Sequence, residues 1–162
     1  MKTIYLAGGC FWCIEYFFLS LKGVISVTSG YSGGQEKEVT YEMVKNQLTG
    51  HRETIKVDYD ENIISLEAIL DEYFLRVDPL DEGGQFIDRG HSYTLAIYYE
   101  NNDDYNIIVM KCKDIARRLA KKIYVSIEPF LFFIKAIEEH QGYCLRHPKA
   151  FQEEIDKSGR KL

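Results

Sequence analysis

The stretch Gly8-Gly9-Cys10-Phe11-Trp12-Cys13-Ile14-Glu15 constrains this chain most strongly. An apolar run, Ile4-Tyr5-Leu6-Ala7, feeds into two glycines. A cysteine follows, then the sole tryptophan, a second cysteine, and apolar residues at helical spacing through Phe17, Phe18 and Leu21. The pattern predicts strand, tight turn and helix, with Cys10 at the helix entrance. A helix start offers unpaired N–H groups and a partial positive charge. Both favour thiolate over thiol. Glycines just before the cysteine let the backbone bend and leave the sulfur uncovered. A lone cysteine in a first helix is ordinarily a buried, inert thiol. The Gly-Gly turn, the Cys-x-x-Cys pair and the flanking aromatics together favour a nucleophile.

The length of 162 residues predicts one domain spanning 1–162, large enough to bury a real core. A net charge of −5, with acids and bases interspersed, lacks the basic patch of a nucleic-acid binder. The basic residues between Lys111 and Lys122 read as a helix's solvated face. No window holds ~20 uninterrupted apolar residues, so no membrane span is expected. The longest apolar stretch, Tyr124 to Ile137, is broken by Glu128, Pro129 and Lys135. The N-terminus does not read as a signal peptide. Four cysteines, Cys10, Cys13, Cys112 and Cys144, are too few for a small secreted scaffold. The expected setting is reducing and cytoplasmic, where Cys-x-x-Cys is redox-active or metal-binding more often than a structural bridge.

In chain order, strands are expected at Lys2–Ala7, Val24–Ser29, Glu53–Tyr59, Tyr93–Tyr99 and Tyr124–Ile127. Helices are expected at Phe11–Leu21, at Ser65–Arg76 with Ser65 as N-cap, and at Asn102–Lys122. Gly30-Tyr31-Ser32-Gly33-Gly34 breaks the second strand; without a Lys-Ser/Thr and a following helix it is no P-loop. Tyr41–Leu48 reads as irregular or weakly helical, Asp78–Gly90 as a long loop of the kind that is often functional, and the tail from about 140 as extended or short-helical. The fold class is α+β: a mostly antiparallel, mixed sheet with packed helices and a ferredoxin-like two-layer core.

Beyond the cysteines, polar groups gather at strand ends and in loops: Tyr41, His51, Glu53, Asp88 and Tyr93. Glu53 starts a strand whose next odd positions, Ile55, Val57 and Tyr59, are apolar, so it is placed to point inward. A carboxyl in an apolar site keeps its proton near neutral pH, as a general acid must. On the residues alone the commoner outcome is a solvated strand-end charge, since glutamate is rarely buried unpaired. By default Tyr41 and Tyr93 are packing residues, Asp88 a turn residue, and Cys112 a core thiol.

Taken together, these residues resemble the peptide methionine sulfoxide reductases of the A type. Gly9-Cys10-Phe11-Trp12 with Glu15 matches that family's nucleophile motif, and Gly30-Tyr31-Ser32-Gly33-Gly34 its glycine-rich one. Tyr41-Glu42-Met43-Val44, Thr49-Gly50-His51-Arg52-Glu53, Asp78-Pro79, Asp88-Arg89-Gly90 with Tyr93, and His140-Gln141 with Tyr143 follow in the family's order. The resemblance implies an oxidoreductase that reduces methionine-S-sulfoxide, free or in oxidised proteins, with no bound cofactor or metal. It implies Cys10 as nucleophile, Glu53 as acid, Tyr41 and Tyr93 as hydrogen-bond donors to the sulfoxide oxygen, and Asp88 in the same pocket. Phe11 and Trp12 would wall the substrate's methyl group. A thioredoxin-like dithiol would return the enzyme to its reduced form, and the chain would act as a monomer.

Cys13 stands where the family usually has glycine. Positions i and i+3 on a helix are neighbours, so Cys13 is the expected resolving cysteine, with Cys144 as its rival. Arg52, Ser92 and Thr94 also depart from the family pattern and are expected at the pocket's rim and second layer. Two other functions compete. One is a general thiol–disulfide oxidoreductase built on Cys10 and Cys13. The other is a binding module with zinc on Cys10, Cys13 and two of Cys144, His140 and His147.

Overall fold

The computed structural model describes residues 1–160; positions 161 and 162 of the expected 1–162 domain lie outside the described residues. The chain runs β1 (Lys2–Gly8), α1 (Phe11–Leu19), β2 (Val24–Ser32), α2 (Tyr41–Lys45), β3 (Arg52–Tyr59), α3 (Leu66–Arg76), β4 (Gly84–Gln85), β5 (Asp88–Arg89), β6 (Leu95–Tyr99), α4 (Asn102–Leu119), β7 (Val125–Pro129), β8 (Phe133–Lys135), α5 (Tyr143–Arg146) and α6 (Pro148–Ser158). Short 3-10 turns stand at His91–Tyr93 and Glu138–His140.

Six strands form one sheet in the order β7-β6-β1-β3-β2-β8, and β4 pairs with β5 as a separate ribbon. Within the sheet only β6 and β7 are parallel; the other neighbours are antiparallel. This is the mixed, mostly antiparallel α+β sheet that the alternation of strands and helices predicts. Strand β3 is inserted between β1 and β2, and β7 and β8 extend the sheet at its two edges, beyond a four-stranded core.

The period-two pattern of β1 explains its central place. Ile4 and Leu6 join the main core with Phe11, Ile14 and Phe18 of α1 and Ile69, Leu70 and Tyr73 of α3. Tyr5 and Ala7 point to the opposite face, where they meet Ala96 and Tyr98 under Phe130 and Phe133. Tyr5 stacks on Phe130 at 3.9 Å. Because the second face is covered too, β3 is buried along almost its whole length rather than half-buried. Its Asp58 carboxylate is satisfied by the hydroxyls of Thr3 (2.5 Å) and Ser26 (2.9 Å).

Several boundaries move for identifiable reasons. Helix α1 stops at Leu19, two residues short of the expected end. Strand β2 does not break at Gly30 but continues to Ser32. A Cβ on Gly30 would lie 2.3 Å from the Ile134 carbonyl oxygen of β8, so this glycine permits a close backbone approach rather than ending a strand. The loop from Asp78 to Gly90 is ordered by the β4–β5 ribbon and by buried Gln85, whose amide bonds both the N–H and the carbonyl of Asp78 at 2.8 Å. Tyr93 sits on a 3-10 turn, ahead of β6 rather than within it. The Ser65 hydroxyl caps α3 as expected, accepting from Ala68 N–H at 3.1 Å. In the tail, α6 is a helix of 11 residues.

Candidate active site

The elbow between β1 and α1 places Cys10 as the N-cap of α1, its carbonyl accepting from the N–H groups of Cys13 and Ile14 at 3.2 Å. Gly9 makes the elbow possible. It has φ +88°, and a Cβ there would stand 2.7 Å from Arg160 Nη2 and 2.8 Å from Gln85 Cβ. Cys10 is 8% exposed, whereas Cys13 is 1% exposed. Both pack with Cys144, Phe151 and Ile155 in a small cluster between α1 and the C-terminal helices.

Glu53, at the start of β3, is buried at 1% exposure. Its Oε1 accepts from the N–H of Phe11 at 3.1 Å, so the carboxyl occupies the mouth of α1 beside Cys10. Its Oε2 is buried with no hydrogen-bond partner among the described residues. Burial pushes this carboxyl up to about 8; the Phe11 N–H and the nearby Tyr93 hydroxyl work against the rise, and the charges of Asp88 and Cys13 add to it. The sequence alone favoured a solvated charge here.

Tyr41, at the start of α2, and Tyr93 close over the same space. Burial raises both phenols, and the charges of Glu53 and Cys10 raise both further, so neither loses its proton in the physiological range. Asp88, half-buried on β5, is raised by burial and pulled down by Arg160. The structure therefore brings together Cys10, Cys13, Glu53, Tyr41, Tyr93 and Asp88 from five separate elements. Phe11 and Trp12 border this group. Phe11 lies against Tyr41 with ring centroids 6.1 Å apart. Trp12 is sandwiched by Tyr143 at 4.0 Å and reaches Tyr41 at 5.8 Å. A groove of about 480 Å³, bordered by Tyr31, Tyr41, Ala136 and His140, adjoins them.

The two thiols are hydrogen-bonded to each other, and the bond moves their pKa values in opposite directions. A hydrogen bond to Cys13, then burial, then the charges of Cys13, Glu53 and Asp88, hold Cys10 well above the usual thiol range. The same bond lowers Cys13, against its burial, and Arg160 lowers it further. Its place at a helix mouth does not lower the Cys10 thiol, because the bond to Cys13 and burial, with the facing carboxyls, raise it. Of the two thiols, Cys13 is therefore the one that gives up its proton more readily.

Other expected residues lie elsewhere. His51 is fully buried; its Nδ1 accepts from Gly34 N–H at 3.2 Å and its Nε2 meets the Glu36 carbonyl at 2.8 Å, so it braces a turn. Arg52 does not reach the rim of the site. Neighbouring strand residues face opposite ways, and Arg52 donates to Thr94 (2.8 Å), Tyr98 (3.1 Å) and Glu128 (2.7 Å) on the far face. Ser92 is buried and accepts from Gln47 at 2.7 Å. Burial alone pushes Cys112 up to about 11, the mark of an inert core thiol. Among the described residues, no group of three or more histidine, cysteine or acidic side chains is arranged to hold a metal ion.

Sequence reasoning missed how the tail is fastened. Glu15 accepts from Gly142 N–H (3.1 Å) and the Ser29 hydroxyl (3.4 Å), and Gln141 clamps Ser29 through both its N–H and its carbonyl at 2.8 Å. It also missed Arg160, 7% exposed against the elbow. One arginine after a helix-ending glycine carries no local signal of such a place.

The family model described as peptide methionine sulfoxide reductase matches residues 2–161. The chain belongs to the peptide methionine sulfoxide reductase family. It is 40% identical over 162 residues to "Peptide methionine sulfoxide reductase MsrA" of Halalkalibacterium halodurans, covering 99% of this chain and 92% of that one. It is 39% identical to "Peptide methionine sulfoxide reductase MsrA 2" of Staphylococcus aureus, covering 96% and 89%. Among solved structures it resembles reduced Mxr1 of Saccharomyces cerevisiae, with a TM-score of 0.87, 28% identity, and 91% and 86% of the two chains covered. It also resembles methionine sulfoxide reductase A of Corynebacterium diphtheriae, with a TM-score of 0.80, 26% identity, and 91% and 75% covered. Among the described residues, no helix is long and apolar enough to cross a membrane.

Proposed function

We propose that Cys10 attacks the sulfur of methionine-S-sulfoxide while Glu53 protonates the departing oxygen. As a member of its family, the chain is an oxidoreductase that reduces methionine sulfoxide with thiols. The observation that carries the assignment of roles is the Glu53 carboxyl, which borders the nucleophile's helix mouth, keeps one oxygen free and holds its proton to about pH 8. Sulfoxide oxygen leaves poorly unless protonated. Tyr41 and Tyr93, protonated hydroxyls facing the same space, would orient that oxygen. Phe11 and Trp12 would receive the methyl group.

In this reading Cys10 passes its proton to Cys13 as it attacks. The Cys10 sulfur bonds to the sulfoxide sulfur as the sulfur–oxygen bond breaks, and the oxygen, protonated by Glu53, leaves as hydroxide. That hydroxide then bonds to the Cys10 sulfur, the thioether departs with the electron pair of the sulfur–sulfur bond, and Cys10 is left oxidised to sulfenic acid. The Cys13 sulfur then displaces water from the sulfenic acid, giving a Cys10–Cys13 disulfide. An external dithiol such as a thioredoxin-like protein reduces it to two thiols and is itself oxidised. The hydrogen bond between the Cys10 and Cys13 thiols favours Cys13 over Cys144, which packs in the same cluster, as the resolving residue. The same reading takes the chain as a single catalytic domain, monomeric and cytoplasmic, drawing electrons from the dithiol rather than from a bound cofactor.

Turnover of each sulfoxide epimer with dithiothreitol tests it. The S epimer should be consumed and the R epimer left. Reduction of the R epimer alone, or of insulin disulfides in place of either, would refute it.

A further inference from the structure

The Arg160 guanidinium reaches the elbow from the far end of the chain. Its Nη2 donates to the Gly8 carbonyl at 2.6 Å and its Nη1 to the Arg76 carbonyl at 2.8 Å. Its carbon lies 4.7 Å from the centre of the Phe86 ring. The Ser158 hydroxyl accepts from its backbone N–H at 3.0 Å, fixing the residue just past α6. Nε is buried with no partner among the described residues. The group is thus held by two carbonyls, one within the Gly8-Gly9 elbow that precedes Cys10 and one at the end of α3. Carbonyls orient a guanidinium but do not neutralise it, and a buried charge is costly unless an opposite charge faces it.

We propose that Arg160 is a positioning residue whose charge holds the negative charge of the Cys10–Cys13 pair in the buried elbow. This deepens the reading above and rests on it for the role of Cys10. Glu53 on β3 and Asp88 on β5 face Cys10, Asp88 and Glu154 of α6 face Cys13, and all three carboxyls disfavour a thiolate. The hydroxyls of Tyr41, Tyr93 and Tyr143 and the Cys144 thiol border the pair, and Lys45 acts on Asp88. Arg160 is the cation set against these carboxyls. Burial disfavours its charge and leaves it below the usual guanidinium value, and Cys13, Cys10 and Asp88 act in its favour. The cost of burying the arginine is offset by the thiolate, and the thiolate by the arginine.

The test compares wild type, Arg160→Met and Arg160→Lys. Thiolate absorbance in the ultraviolet and iodoacetamide labelling of Cys10 and Cys13, read by mass spectrometry, are followed from pH 5 to 10. A neighbouring opposite charge shifts a pKa by about 1–3 units. In the Met variant the first ionisation of the pair should therefore rise by at least about one unit, with labelling at pH 7 slowed about tenfold or more. The Lys variant should recover at least half of the shift. An unchanged midpoint in a folded Met variant overturns the proposal, as does a Lys variant no better than Met. Wild type supplies a measurement that needs no substitution. Linkage is reciprocal, so converting the pair to its uncharged disulfide should speed hydrogen exchange at the Arg160 amide; equal protection in both forms would overturn the proposal. None of these readouts needs sulfoxide turnover, so failure of the reductase mechanism and failure of this inference are separately visible.

Discussion

Replacing Glu53 by Gln removes one proton and leaves the shape. The amide oxygen can still accept from Phe11 N–H at 3.1 Å, so the helix mouth stays occupied. With its pKa near 8, the wild-type carboxyl is about 90% protonated at pH 7. At the ordinary value of 4.5 it would be protonated in only about 0.3% of molecules, so burial raises the supply of acid about 300-fold. Losing a positioned general acid costs about 10²–10⁴-fold in rate. Turnover of methionine-S-sulfoxide with dithiothreitol should fall by that factor at pH 7. In wild type, the dependence on Glu53 should appear as a tenfold fall per pH unit above about 8, absent from the variant. Stability should move the other way. A carboxyl raised from 4.5 to about 8 on folding favours the native state below pH 4.5 and loses that advantage as pH climbs through 8. The variant should thus be as stable as wild type near pH 4 and more stable at pH 9, by up to about 5 kcal/mol. A Gln variant with near-normal rate at pH 7, or with a stability gain that does not grow with pH, would refute the assignment of Glu53 as a buried acid.

Three further outcomes follow from the same geometry. Cys13→Ser should still release one methionine per chain but stall in steady state with a thioredoxin-like reductant; peptide mapping of oxidised wild type should find Cys10 linked to Cys13, and a Cys10–Cys144 link would reassign the resolving residue. Arg52→Ala should lower stability by about 1–3 kcal/mol, as its buried hydrogen bonds to Thr94, Tyr98 and Glu128 are lost, with kcat within about twofold of wild type; chemical denaturation and steady-state kinetics check both halves. Gly9→Ala should be destabilised by more than about 1 kcal/mol, because φ +88° and contacts under 3 Å with Arg160 and Gln85 leave no room for a methyl group; a melting curve like wild type would show that the elbow can relax.

What the sequence disclosed, and what it withheld, divides along the range of the interactions. The elbow was legible because its parts are local: an apolar run, two glycines, a cysteine and a helical stripe within some twenty residues. The Ser65 cap was legible for the same reason. The family resemblance then gathered Tyr41, Glu53, Asp88 and Tyr93 around Cys10, and their positions agree with one enclosed site. The burial of Glu53 was not legible, because its partner is an N–H 42 residues earlier and both faces of its strand are covered by distant segments. Gly30 read as a strand breaker because β8, which makes it necessary, lies about a hundred residues further on. The opposite shifts of Cys10 and Cys13 come from their mutual hydrogen bond, from burial and from charges on β3, β5 and α6 and at Arg160, and no local pattern reports them.

The most direct test is a single turnover without reductant. Fully reduced enzyme is mixed with one equivalent of methionine-S-sulfoxide, quenched with acid, and assayed for methionine and for the state of each cysteine. The proposed chemistry predicts about one methionine per chain, with Cys10 oxidised in step with it. Methionine formed while Cys10 remains a free thiol, or no methionine from enzyme whose Cys10 is reduced, would contradict it.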